Sequence, residues 1–237
     1  MKRFSTRYRS TEKEILDEID LEKKDLREVF SDLDRVNRVL GGNQITLSGL
    51  QKLLRNSLWQ EPLKILDVGC GNGSMLRNVA LWGRQRNIRM ELLGVDLNAT
   101  AIEIAREQSA DFPEISFRVM DVLSTRFTEW NFDVILCTLT LHHFRDEEIF
   151  EFLERLSDKA RIGLVINDLE RNKAAYFLFR VFSALFLKNR ISRSDGLTSI
   201  LRSFRLEDLD GYASRLRVNK NEINWKWAFR YQWIIFK

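Results

Sequence analysis

The sequence predicts an α/β fold, a mostly parallel sheet covered on both faces by helices. Three observations predict it. From Leu63 onward, short apolar runs of strand length alternate with helical stretches. A glycine-rich turn, Asp67-Val68-Gly69-Cys70-Gly71-Asn72-Gly73, joins the first such run to the helix after it. The 237 residues, 44% of them hydrophobic, suffice for one sizeable core. Strands buried on both faces read as unbroken apolar runs, and crossover helices between them make the sheet parallel.

The first 62 residues read as a helical N-terminal extension. Thr11-Glu12-Lys13-Glu14 has the form of a capping box, and Ile15, Leu16, Ile19, Leu21, Leu26, Val29, Phe30 and Leu33 recur at helical spacing. Gly41-Gly42 interrupts this run, and a short helix over 47–58 follows, with Leu50, Leu53, Leu54 and Leu58 on one side. Strands are expected at 64–68, 90–95, 115–120, 132–137 and 162–166, and helices at 74–84, 100–108 (capped by Asn98 or Thr100) and 146–157. Residues 169–204 are helical and aromatic-rich and read as an insertion after the fifth strand. A helix over 206–214 and strands over 215–219 and 227–236 complete the chain, the last two as a closing antiparallel pair. Residues 63–237 are thus expected to form one domain.

Composition narrows the function. No apolar run approaches the roughly 20 residues of a membrane helix, and the basic stretch Met1–Arg7 lacks the apolar segment of a signal peptide. Two cysteines, Cys70 and Cys137, both inside apolar elements, point to a reducing, cytoplasmic setting. The net charge of +4 comes from 38 basic and 34 acidic residues interspersed along the chain, which describes a solvated surface; no nucleic-acid partner is expected. No metal site is expected, and the chain is expected to be a monomer or homodimer.

The chemistry concentrates at the carboxyl ends of the strands. Gly69, Gly71 and Gly73 follow a strand and precede a helix, so the backbone can turn tightly and approach a ligand, while the helix offers free N–H groups. Asp96 ends the second strand, where an acid suits the two hydroxyls of a ribose. Asp67 precedes the loop, where it opposes a diphosphate but can receive a cationic amine. Asp121, followed by Val122, ends the third strand and can accept from an adenine amino group. The stretches Ile65–Gly73, Gly94-Val95-Asp96-Leu97-Asn98, Val119-Met120-Asp121-Val122 and Phe132-Asp133-Val134-Ile135 together resemble the class I S-adenosylmethionine-dependent methyltransferases. The resemblance covers about Leu63 to Asn167. It implies a Rossmann-like seven-stranded sheet of order 3-2-1-4-5-7-6 with the seventh strand antiparallel. S-adenosylmethionine would be bound by Asp67, Gly69, Cys70, Gly71, Asp96, Leu97, Asp121, Val122 and Cys137, leaving S-adenosylhomocysteine as product. A dinucleotide-binding domain is the rival, but its G-x-G-x-x-G spacing is not met here.

Strand four runs into Cys137-Thr138-Leu139-Thr140-Leu141-His142-His143-Phe144, which holds both histidines of the chain. The resemblance implies that this loop lies beside the methyl donor, where His142 or His143 can take a proton from an acceptor hydroxyl; the alternative for either is to cap a helix or pack under the cofactor. Asp168 orients such a base, binds the acceptor, or caps the next helix. Arg171 grips a substrate carboxylate or pairs with Glu170. The apolar stretch Ala174–Leu187 reads as a buried helix, a lid over an apolar acceptor pocket, or a contact with a bilayer surface, the lid being favoured. The helical N-terminus, Leu141-His142-His143-Phe144 and Ile166–Leu169 also resemble methyltransferases encoded beside polyketide-forming enzymes and, distantly, those of ubiquinone and menaquinone biosynthesis. That implies O-methylation of a phenolic or polyketide-derived acceptor. The alternatives are C-methylation of a quinone-like ring, an RNA or protein methyltransferase, and a non-catalytic donor-binding subunit.

Overall fold

A computed structural model describes the chain apart from residues 1–4, 19–20, 56 and 125–129; Ile19 and the start of the basic N-terminus lie outside the described residues. Seven strands form a single sheet: β1 (Leu63–Val68), β2 (Met90–Asp96), β3 (Ile115–Val119), β4 (Phe132–Thr138), β5 (Ala160–Leu169), β6 (Lys220–Lys226) and β7 (Arg230–Phe236). Their order is β3-β2-β1-β4-β5-β7-β6. The first five are parallel, and β7 runs antiparallel to both β5 and β6. The expected order and the antiparallel seventh strand are both found.

The middle strands are unbroken apolar runs because both faces are covered. Leu66, Ile135, Leu164 and Trp233 pack on one side with Phe152 and Leu156 of α6 (Asp146–Lys159). Ile65, Val134, Val165 and Ile234 pack on the other with Leu50 and Leu53 of α3 (Gly42–Leu54) and Leu76 and Val79 of α4 (Ser74–Arg84). This alternation along each strand is the period of two that places successive side chains on opposite faces.

The N-terminal region holds α1 (Ile15–Glu18), α2 (Lys23–Val39) and α3. Gly41, at φ 71, turns the chain directly into α3, which therefore starts at Gly42, five residues before the expected position. The capping box at Thr11–Glu14 does not form. Asp195 of α8 (Arg190–Arg202) caps α1 instead, accepting from the N–H groups of Ile15 at 2.8 Å and Leu16 at 3.0 Å. Asn98 caps α5 (Ala99–Gln108) through Ala101 N–H at 2.9 Å.

The insertion after β5 is two helices, α7 (Lys173–Phe186) and α8, joined through Asn189, which caps α8. α7 is not buried: Phe177, Leu178, Val181, Leu185 and Phe186 are all more than half exposed. Among the described residues no helix is long and apolar enough to cross a membrane. After α9 (Leu206–Ala213), the expected strand at 215–219 lies instead at Lys220–Lys226. This edge strand pairs only with β7, so its alternation is hidden, whereas Leu216, within the expected span, is a core residue in the preceding loop.

Candidate active site

The carboxyl ends of β1, β2, β4 and β5 meet at the glycine loop. Gly69, Gly71 and Gly73 have φ of 68°, 51° and 75°, a region closed to most side chains. A Cβ at Gly69 would run into the Thr140 side chain, and one at Gly71 would lie 3.1 Å from the Phe30 ring of α2. The loop is therefore a backbone cradle, floored by the turn after β4 and roofed by α2. Asn72 ties loop to roof, donating to Asp34 at 2.8 Å. Lys23 of α2 further pairs with Glu103 and Glu107 of α5.

These residues fit the donor that the sequence implies. Asp67 is buried and its Oδ1 has no partner. Burial, reinforced by the Asp96 charge, pushes its pKa up to about 8. An orphaned buried carboxyl next to a glycine cradle suits a cationic amine. Asp96 orders the loop, accepting from Gly71 N–H at 2.9 Å and Asn98 N–H at 2.9 Å. Leu97 beside it is 71% exposed, an open apolar side chain next to Asp96. Asp121 is exposed and accepts from Leu123 N–H at 2.8 Å, and Val122 is buried behind it. The Cys70 and Cys137 thiols both sit in the core, and burial pushes both pKa values up, so neither is a nucleophile.

The turn after β4 contains a second constellation. Leu139, at φ 55°, holds a left-handed conformation rare for a bulky side chain, and its N–H donates to Asn167 O at 2.8 Å. Thr140 Oγ1 donates to Val68 O at 3.1 Å, which binds the turn to the donor loop. His142 and His143 follow in a single 3-10 turn, Leu141–His143. His142 is buried, with Nδ1 2.7 Å from Asp168 Oδ1 and Nε2 3.3 Å from Glu14 Oε1. Burial opposes its charge, but Asp168 and then Glu14 outweigh burial and lift its pKa to about 10. His143 is partly open, with Nδ1 3.1 Å from Asp17 Oδ2 and Nε2 3.9 Å from Glu14 Oε2. Burial would raise Glu14, Asp17 and Asp168; the two imidazoles reverse this and hold all three below the usual carboxylate range.

The result is a chain of alternating groups, Asp168–His142–Glu14–His143–Asp17, running from the core toward the surface. Two arginines pin the turn that carries it. Arg202 donates to His142 O at 3.1 Å and His143 O at 2.6 Å, and Arg9 to Phe144 O at 2.9 Å.

The structure places Asp168 2.7 Å from His142 Nδ1, and His143 follows in the same 3-10 turn. Asp168 does not cap the next helix; Asn172 does, through Ala174 N–H at 2.8 Å. Arg171 does not pair with Glu170. It is buried, donates to Thr6 O at 3.0 Å and Ser203 O at 2.6 Å, and pairs with Asp208 at 2.9 Å. Glu14, Asp17, Arg9 and Arg202 were not anticipated. Glu14 and Asp17 lie three apart, so both face one way from the start of α1, but no local signal says what they face.

Comparison with known proteins agrees with this geometry. Residues 65–163 match a family model described as a methyltransferase domain. Over 155 residues the chain is 26% identical to a ubiquinone biosynthesis O-methyltransferase of Alkalilimnicola ehrlichii, covering 65% of this chain and 59% of that protein. The enzyme of the same name from Proteus mirabilis is 25% identical, with 55% and 51% covered. The chain thus spans little more than half the length of these curated relatives. Among solved structures, the plantazolicin methyltransferase BpumL in complex with SAH superposes with a TM-score of 0.64 at 19% identity, covering 89% of this chain and 90% of that one. The citrinin polyketide synthase CMeT domain superposes at 0.61 and 14% identity, covering 81% and 52%. Over residues 65–163 the chain is therefore similar to methyltransferase domains, and its sheet has the strand order β3-β2-β1-β4-β5-β7-β6.

Proposed function

We propose that this chain transfers a methyl group from S-adenosylmethionine to a hydroxyl oxygen of a small aromatic or polyketide-derived acceptor. The observation that carries the reading is the acid-flanked His142–His143 turn, fastened to the donor loop through Thr140. The donor supplies the electrophilic methyl group. The chain's tasks are to align donor and acceptor, exclude water and hold the acceptor's proton. Asp67 and the 69–73 backbone hold the methionine end; Asp96, Leu97, Asp121 and Val122 hold the adenosine. Phe30 and α2 close over the loop, and α7 with α8 covers the acceptor side as a lid.

The two histidines divide the work. Both nitrogens of His142 face carboxylates and its proton is retained at neutral pH, so it positions its neighbour through Glu14. His143 is the base: it is more open, and Asp17 stands ready to stabilise the imidazolium. With the donor bound, its methyl group would pass to the acceptor oxygen, and His143 would take up the hydroxyl proton. Names of the relatives that include O-methyltransferases of ubiquinone biosynthesis support an oxygen acceptor.

The test is transfer of labelled methyl from S-adenosylmethionine to a panel of phenols. His143→Ala should lower kcat by about 100-fold or more near pH 7, the usual contribution of a general base, with the deficit shrinking for phenols of lower pKa. Full turnover by both His143→Ala and His142→Ala would remove the base; transfer confined to RNA or protein would remove the acceptor class.

A further inference from the structure

Arg230 opens β7 at the same edge of the sheet, opposite Leu169 of β5. Its side chain is enclosed, the residue only 2% exposed. Nη2 donates to Asn37 Oδ1 at 2.8 Å, while Nε and Nη1 have no partner. Asp168 is the opposing charge that acts on it, but its oxygens are committed to His142 and to the N–H groups of His142 and Leu169. A buried guanidinium with two unused donor atoms and no paired anion is costly, and proteins rarely keep one without a ligand to fill it.

A second, independent feature adjoins it. α3 begins at Gly42, and its N-cap Gly41 provides no side-chain cap; Gln44 N–H donates to Gly41 O at 3.1 Å, while the N–H groups of Gly42 and Asn43 gain nothing from a capping side chain at that residue. A helix start of this kind favours an anion. It lies against the guanidinium: a Cβ on Gly42 would stand 2.9 Å from Arg230 Nη1. The guanidinium fills the space a side chain at Gly42 would take, so glycine lets the helix start and the unused donor lie side by side.

We propose that Arg230 and the amino end of α3 form an anion subsite that takes a carboxylate of the methyl acceptor. This rests on the methyltransfer reading above and narrows its acceptor to an acid, such as a hydroxyaryl carboxylate. The donor's own carboxylate is the other source of the same chemistry. In the order β1-β4-β5-β7, Arg230 is three strands from the donor loop. At roughly 4.8 Å per strand that is about 14 Å, too far for the group beside Asp67.

The experiment compares 2,4-dihydroxybenzoate with 2,4-dihydroxybenzamide on wild-type protein, Arg230→Gln and Arg230→Lys. Calorimetry measures SAH affinity, then binding of each probe to the SAH complex; labelled transfer is measured separately. Wild type should bind the carboxylate about tenfold to a hundredfold more tightly than the amide. Arg230→Gln should lose that preference while binding SAH and the amide within about twofold of wild type, and Arg230→Lys should recover part of it. Where transfer occurs, the loss should appear in KM more than in kcat. Equal binding of both probes by wild type, a preference that survives in Arg230→Gln, or a matching loss of SAH affinity would each overturn the subsite. Preferential carboxylate binding without transfer would uphold the subsite and count against the methyltransfer reading.

Discussion

Asp168→Asn is the substitution whose consequences can be worked furthest from the structure. Asp168 is 1% exposed and accepts from His142 Nδ1 at 2.7 Å, His142 N–H at 3.1 Å and Leu169 N–H at 2.7 Å. Asparagine keeps the shape but offers one acceptor oxygen and one NH2, which must face either a protonated ring nitrogen or a backbone N–H. With His142 raised from 6.5 to about 10, the folded state favours the imidazolium by about 5 kcal/mol, shared chiefly between Asp168 and Glu14. Breaking a buried pair by removing one partner costs about 3–5 kcal/mol, so Asp168→Asn should lose about that amount at pH 6. The sign in pH is fixed: a group whose folded pKa is raised contributes fully below its unfolded value. The contribution then fades at about 1.4 kcal/mol per unit as pH climbs from 6.5 toward 10. Urea denaturation at pH 6 and pH 9 measures both effects. Wild type should weaken between those values and the variant much less, so the gap between them narrows. A variant as stable as wild type at pH 6, or a gap that widens with pH, would refute the clamp.

Four further outcomes follow from named contacts. In Asp67→Asn, donor affinity should fall about tenfold to a hundredfold, the worth of one charge-assisted contact. Because Asp67 is raised to about 8, its folded-state penalty grows as pH rises from 3.8 through 8, so the donor-free variant should be more stable than wild type at pH 9. For the same reason wild type should release a proton on binding donor at pH 7 and the variant should not, read by calorimetry in buffers of different ionisation enthalpy; equal proton release in both would exclude Asp67 as the amine's partner. Arg171→Met should cost about 3 kcal/mol and free the segment around Thr6 to proteolysis, since the buried guanidinium holds Thr6, Ser203 and Asp208 together; an unchanged digestion pattern would contradict that role.

The strand order and the glycine loop were legible because their signals are local. Apolar runs such as Val134–Cys137 are short and continuous, and the glycines must lie within one turn to form a cradle. Much of the acceptor side was not legible. Glu14 reads as part of a capping box, and only tertiary packing, with Asp195 capping α1 from α8, turns it onto His142. Arg230 looks like one of many surface arginines until α3 covers it. The exposed face of α7 shows the converse: an apolar sequence signals burial only where a neighbour covers it, and Phe177, Val181 and Leu185 have water on that side. β6 was misplaced because an edge strand has a single partner and needs no apolar alternation.

The central claim is that the loop from Asp67 to Gly73 holds S-adenosylmethionine. Equilibrium binding of SAH to wild type and to Gly71→Val tests it most directly, because Gly71 has φ 51° and a side chain there would strike Phe30. One equivalent should bind wild type, and binding should be lost in the folded Gly71→Val variant. No binding by wild type, or undiminished affinity in the variant, would contradict the account.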